Sequence, residues 1–216
     1  MGLAGDFQGI LVDMDGVLLD TMSAHVDAWV RAGAALGLEI DEREIYRREG
    51  EKGEISARDF IKAAGMMLTK ARVQTLLDTK QRYLAQLSRG MKAFPHAADL
   101  LRACQDRQLK IALVTGTSRA EWERIFPAEL RPYLAATICG DDVLHGKPNP
   151  EPYMTAARLL GLQGWQCLAV ENAPYGIESA KTAGCYVVGV RSYLSDEDLG
   201  QADRLVDDLA ELIRLL

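Results

Sequence analysis

With 216 residues, 48% of them hydrophobic, the chain is long enough for one sizeable core, or for one core carrying an inserted subdomain. Its 25 lysines and arginines against 31 acids leave a net charge of −6 with no basic run, which argues against nucleic acid and anionic membranes as partners. No stretch stays apolar for the ~20 residues that span a bilayer, and no basic segment followed by an apolar one opens the chain, so a cytoplasmic protein is expected.

The first predicted element is Ile10-Leu11-Val12, a buried strand that stops at Asp13 and Asp15 and leaves through Gly16. The two carboxylates stand two residues apart, so in strand geometry they project to one side, close enough to share a cation or a reacting group. Taken alone, Asp-x-Asp-Gly also fits a solvated strand-to-turn junction. Helical spacing follows: Ala28, Trp29, Ala32, Ala35 and Leu36 share a face that Gly37 ends, and further helical patterns cover 41–48, 55–64 and 69–87, broken by Gly50, Gly53, Gly65 and Gly90. No convincing strand occurs from Met22 to Arg89, which predicts an all-helical insertion right after the first strand.

From Pro95 strand and helix alternate. A helix over 97–104 precedes the strand Lys110–Val114, whose exit loop is Thr115-Gly116-Thr117-Ser118, with Ser118 placed to cap the helix carrying Trp122 and Ile125. A short strand over 136–139 leads to a loop holding Lys147 and then a helix over 151–160. The strand 166–170 ends in Glu171-Asn172, and Pro174 opens a helix that Gly184 closes. A strand over 186–190, a weaker one over 204–206 and a helix to Leu216 complete a doubly wound parallel α/β sheet. Cys104, Cys139, Cys167 and Cys185 are 35, 28 and 18 positions apart, without the close pairs of zinc or redox sites, and read as buried side chains.

Asp13/Asp15, Thr115, Lys147 and Glu171/Asn172 all fall at the C-terminal ends of predicted parallel strands, and those ends share one edge of the sheet. Two acids, a hydroxyl with backbone amides, a lysine and a further acid are a set able to hold magnesium and a phosphoryl group. These four motifs, in this order and over essentially the whole length, resemble the haloacid dehalogenase superfamily hydrolases, and most of all the β-phosphoglucomutase-like branch. The resemblance implies a Rossmann-like core over 1–21 and 90–216, with an inserted all-helical cap over 22–89.

Carried over by position, the resemblance makes Asp13 the nucleophile that forms an aspartyl phosphate and Asp15 the acid and base. Thr115 and the Gly116 amide would hold phosphoryl oxygens, Thr117 would lie beside them on the substrate side, and Lys147 would offset charge. Magnesium would be held by Asp13, the Asp15 carbonyl, and Glu171 or Asn172. An acid at position 15 favours phosphate esters. Asn172 stands where many relatives have aspartate, which leaves Glu171 as the expected main acidic ligand of that loop.

His25 matches a histidine of the branch that faces the sugar, though a packed structural histidine fits the spacing as well. The loop 47–53, with Glu49 and Lys52, is expected to face the leaving group, or else to be a solvated turn. The arginine with which mutases hold a distal phosphate falls on Gly53. The leading expectation is a magnesium-dependent phosphatase, monomeric by family habit, acting on a small phosphorylated metabolite such as a sugar phosphate. The alternatives are a β-phosphoglucomutase-type isomerase and a non-catalytic phosphate-ligand binder.

Overall fold

The computed structural model describes residues 3, 5–87 and 91–216. Six strands, β1 (Gly9–Val12), β2 (Lys110–Val114), β3 (Ala136–Ile138), β4 (Cys167–Glu171), β5 (Tyr186–Val190) and β6 (Arg204–Val206), pair in parallel in the order β3-β2-β1-β4-β5-β6. β1 lies in the middle because it is apolar on both faces. Ile10 and Val12 pack into one cluster with Leu100, Leu101, Leu209 and Leu212. Leu11 packs into the other with Tyr153, Ala156, Ile177 and Ala180. Helices α5 (Ala97–Asp106) and α10 (Leu209–Leu215) therefore cover one face, and α7 (Glu151–Leu159) and α8 (Pro174–Thr182) the other. α6 (Arg119–Ile125) follows β2, and the short α9 (Asp196–Leu199) follows β5. The chain runs outward from β1 to β3 and then returns to β4 on the opposite side, so the order reverses at β1, where such sheets open a ligand crevice.

Between β1 and β2 lie α1 (Met22–Ala35), α2 (Glu42–Arg47), α3 (Gly53–Ala63) and α4 (Lys70–Leu87), close to the helical spans read from the sequence. They have an apolar cluster of their own, with Trp29, Phe60, Ile61 and Leu76, in which Trp29 meets Phe60 edge-on at 5.4 Å. The segments leading in and out pair with each other: Phe94 N donates to Leu18 O at 2.9 Å and Asp20 N to Lys92 O at 3.0 Å. The helices thus leave and rejoin the core at one point, which makes them an inserted cap. The break expected at Gly90 and the boundary expected between residues 89 and 90 lie outside the described residues.

The cap is seated on the core. A Cβ on Gly116 would come within 2.6 Å of Gly50 O, and one on Gly140 within 2.2 Å of Gly116 O, so three glycines let the cap loop and two core loops stack. Arg43 Nη2 reaches both oxygens of Asp198 at 3.1 Å, and Tyr46 stacks on Tyr193 at 5.3 Å. All four cysteines are buried and free. Among the described residues no helix is long and apolar enough to cross a membrane.

Candidate active site

Asp13 is the first residue beyond β1, and its N–H still joins the sheet by donating to Val170 O at 3.0 Å. Its carboxylate is fully buried. Lys147 Nζ donates to Asp13 Oδ1 at 2.5 Å, to Glu171 Oε1 at 2.6 Å and to Val114 O at 3.3 Å. Burial pushes the Asp13 carboxyl up; the Lys147 ammonium opposes this, while Glu171, Glu49 and Asp15 add to it. Burial would lower the lysine, but Asp13 and Glu171 outweigh it and hold the ammonium above its ordinary value. Asp13 Oδ2 is buried with no hydrogen-bond partner among the described residues.

Asp15 is caged. Its Oδ1 accepts from Thr21 Oγ1 at 2.6 Å, and its Oδ2 from Thr115 Oγ1 and Thr117 Oγ1, each at 3.0 Å. His25 Nε2 lies 3.6 Å from Oδ1. Burial would raise this carboxyl, but His25 and the hydroxyls of Thr21 and Thr117 overcome it and pull it down to about 2. On its other side, His25 Nδ1 meets Lys80 Nζ at 3.4 Å. Lys80 can donate to Nδ1, while Nε2 faces Asp15. Gly16 turns the chain here with φ +85°, and a Cβ on it would lie 2.1 Å from Asn172 Nδ2, so only glycine fits.

Above these groups, core and cap enclose a cavity of about 330 Å³ lined by His25, Trp29, Glu49, Lys80, Gly116 and Thr117, among others. Glu49 is half-buried. Burial and Asp15 push it up to about 7 against His25, Lys147 and a backbone N–H. Lys80 is lowered by burial, opposed by Glu121, Glu49 and Asp15.

Of the residues singled out in the sequence, Asp13, Asp15, Lys147, Glu171, Asn172 and Thr115 meet at the sheet edge, and His25, Glu49, Gly116 and Thr117 line the cavity above it. In three places the structure shows contacts that the sequence did not announce. Lys52 does not face the cavity: its Nζ donates to Val143 O at 2.5 Å, and Gly146 packs against its stem. Glu171 does not offer a free carboxylate: Oε1 takes Lys147 and Tyr153 Oη, each at 2.6 Å, and Oε2 takes Asn172 N at 3.0 Å. The Thr115 hydroxyl is turned to Asp15. Thr21, Lys80, Gln81, Glu121 and Tyr153 escaped the sequence reading. The signal available for Thr21 was its place beside Asp20 at the start of the cap, while Lys80 and Gln81 look like any polar residues of a helix.

Among the described residues no group of three histidine, cysteine, aspartate or glutamate side chains could hold a metal ion. The oxygens present nonetheless suit a hard cation. Among the described residues Asp13 Oδ2 and Asn172 Oδ1 are both buried and without hydrogen-bond partners, just beyond the ends of two paired strands. Magnesium binds oxygen and keeps several waters, so two such oxygens and the Asp15 carbonyl form an adequate protein share.

A family model described as haloacid dehalogenase-like hydrolase matches residues 7–184. The chain is 28% identical over 205 residues to hexitol phosphatase A of Escherichia coli, covering 95% of this chain and 93% of the relative. It is 29% identical over 242 residues to phosphoglycolate phosphatase of the same organism, covering 98% and 93%. The crystal structure of CbbY from Rhodobacter sphaeroides in complex with phosphate superimposes with a TM-score of 0.77 at 28% identity, covering 95% of this chain and 96% of that one.

Proposed function

The chain belongs to the haloacid dehalogenase-like hydrolases, and from that membership we propose that it is a magnesium-dependent phosphatase of a small phosphorylated metabolite, with Asp13 as nucleophile. The observation that carries this reading is the pair of carboxylates two residues apart in opposite environments. Asp13 is tied through one oxygen to Lys147 and leaves the other unbonded, while Asp15 is wrapped by three hydroxyls and an imidazole.

In the first half-reaction Asp13 attacks phosphorus, the bond from phosphorus to the ester oxygen breaks, and Asp15 gives a proton to the departing alkoxide. In the second, Asp15 takes a proton from water, whose oxygen attacks the aspartyl phosphate; inorganic phosphate leaves and Asp13 returns as carboxylate. Asp15 is ionised at rest, as the second half requires. For the first half, an incoming phosphate competes for the Thr115 and Thr117 hydroxyls and adds negative charge, and both changes raise the affinity of Asp15 for a proton. Lys147 stabilises charge on Asp13 and the phosphoryl group, and the Gly116 amide adds a donor. Magnesium, the ion the family generally uses, would be held by Asp13, Asn172 and the Asp15 carbonyl, and would screen the repulsion between carboxylate and phosphate.

Transfer to water is favoured over return to a second sugar phosphate, because Gly53 stands where mutases have their phosphate-holding arginine and the neighbouring Lys52 is engaged by Val143 O. Purified protein with magnesium and a panel of phosphate esters is expected to release inorganic phosphate, and Asp13→Asn to abolish that release. Turnover of β-glucose 1-phosphate to glucose 6-phosphate only with added bisphosphate would overturn the hydrolytic reading in favour of a mutase.

A further inference from the structure

We propose that Glu121, acting with Lys80 and Gln81 across the cap-core boundary, selects a neutral, hydroxyl-rich leaving group and rejects one that bears a carboxylate or a second phosphate. The proposal rests on the phosphatase reading above and names the class of ester the site takes.

Glu121 lies in the first turn of α6, yet its side chain is only 7% exposed, and it lines the cavity. Among the described residues its side-chain contacts are long: Gln81 Nε2 donates to Oε2 at 3.5 Å and Arg124 Nη2 to Oε1 at 3.4 Å. A carboxylate has about four acceptor positions, and a buried one with only long contacts retains capacity for donors from a ligand. Gln81 comes from the cap and Glu121 from the core, so a molecule that reaches this pair in the cavity meets groups of both.

The charges around the cavity decide what that molecule carries. Glu49, Glu51, Asp78 and Glu121 face the cations Arg48 and Lys80 there. Arg48 is already held by Glu51 at 2.9 Å and Asp59 at 3.1 Å. Lys80 therefore stands as the lining cation that, among the described residues, forms no salt bridge, with Glu121 and Glu49 acting on it through the cavity. A second anionic group would meet two carboxylates in a space of low dielectric. A hydroxyl avoids that conflict, since it donates to Glu121 and accepts from Lys80 or Gln81. Trp29, with Lys80 Nζ 5.6 Å from its ring centre, and Phe60 add flat apolar wall for a carbon backbone. A phosphorylated polyol or sugar meets all these demands; a phosphorylated hydroxy acid or a bisphosphate does not.

Two measurements test this. In the first, kcat/KM for phosphate release from sorbitol 6-phosphate, phosphoglycolate and fructose 1,6-bisphosphate is compared in the wild type, Glu121→Gln and Glu121→Lys, with melting temperatures to establish folding. The wild type should favour sorbitol 6-phosphate by about tenfold or more, Glu121→Gln should lose most of that preference, and Glu121→Lys should improve phosphoglycolate about tenfold. In the second, calorimetry follows the same three esters binding to Asp13→Asn, where the ranking should persist and should flatten when Glu121→Gln is added. Phosphate release without preference, or preference indifferent to Glu121, overturns the selectivity alone. Ranked, Glu121-dependent binding without any phosphate release by the wild type supports the selectivity and overturns the phosphatase reading.

Discussion

Tyr153 Oη donates to Glu171 Oε1 at 2.6 Å, the same oxygen that accepts from Lys147. The tyrosine is fully buried under the lysine, whose Nζ lies 5.4 Å from its ring centre. It thus fixes Glu171, which with Asp13 fixes the ammonium. Removing the hydroxyl with Tyr153→Phe keeps the packing and loses one bond to a charged group. Turnover is expected to fall about tenfold with KM and melting temperature little changed. Unaltered kcat would show that Lys147 is positioned without it.

On the proposed reading, the orphaned oxygens of Asp13 and Asn172 would hold the metal, and Glu171 would serve the lysine. Asn172→Ala should raise the magnesium concentration for half-maximal phosphate release by about tenfold. Glu171→Gln should lower the plateau with little change in that midpoint. A larger midpoint shift in Glu171→Gln than in Asn172→Ala would reverse the assignment.

Asp15 and Glu49 make opposite contributions to stability as pH changes. The Asp15 carboxyl, drawn down to about 2, favours the fold above about pH 4, and this is lost as pH falls toward 2; the full effect is on the order of 2 kcal/mol. Thr21→Val should raise its titration midpoint, read by carboxyl NMR, and should flatten the loss of stability in urea unfolding between pH 5 and pH 3. Glu49, pushed up to about 7, contributes stability that is present below about pH 4.5 and is lost as pH rises through 7. Glu49→Gln should therefore gain stability over the wild type at pH 8 and not at pH 4. Parallel pH profiles in variant and wild type would contradict either assignment.

The cap is held to the core by Arg43 and Arg47, at 3.1 Å and 3.6 Å from Asp198, beside the Tyr46–Tyr193 stack. Asp198 is largely buried, so Asp198→Asn should weaken closure more than loss of an exposed pair would. The expected result is a severalfold rise in KM with kcat nearly preserved. A fall in kcat at constant KM would place the effect on the chemistry instead.

The parallel sheet and the Asp13, Lys147 and Glu171/Asn172 stations were legible because each is a local pattern, an apolar run followed at once by polar residues, and a parallel sheet brings such ends together. The cavity wall was not. Lys80, Gln81 and Glu121 become neighbours only when α4 of the cap settles over α6 of the core, and nothing local distinguishes them from solvated helix residues. Lys52 illustrates the converse: it lies in the cap loop, but the Val143 carbonyl that accepts its hydrogen bond is 91 residues away. For Glu171, the unforeseen partner was a tyrosine hydroxyl from beneath the sheet edge.

The most direct test is to follow the phosphoryl group itself. Wild-type protein and magnesium are mixed with a ³²P-labelled polyol phosphate, quenched in acid within one turnover, and digested for peptide mapping. Label should appear on the peptide holding Asp13, be released by hydroxylamine, and be absent from Asp13→Asn, which should also yield no free phosphate. Phosphate release by Asp13→Asn at the wild-type rate, or label on any other residue, would contradict Asp13 as the nucleophile.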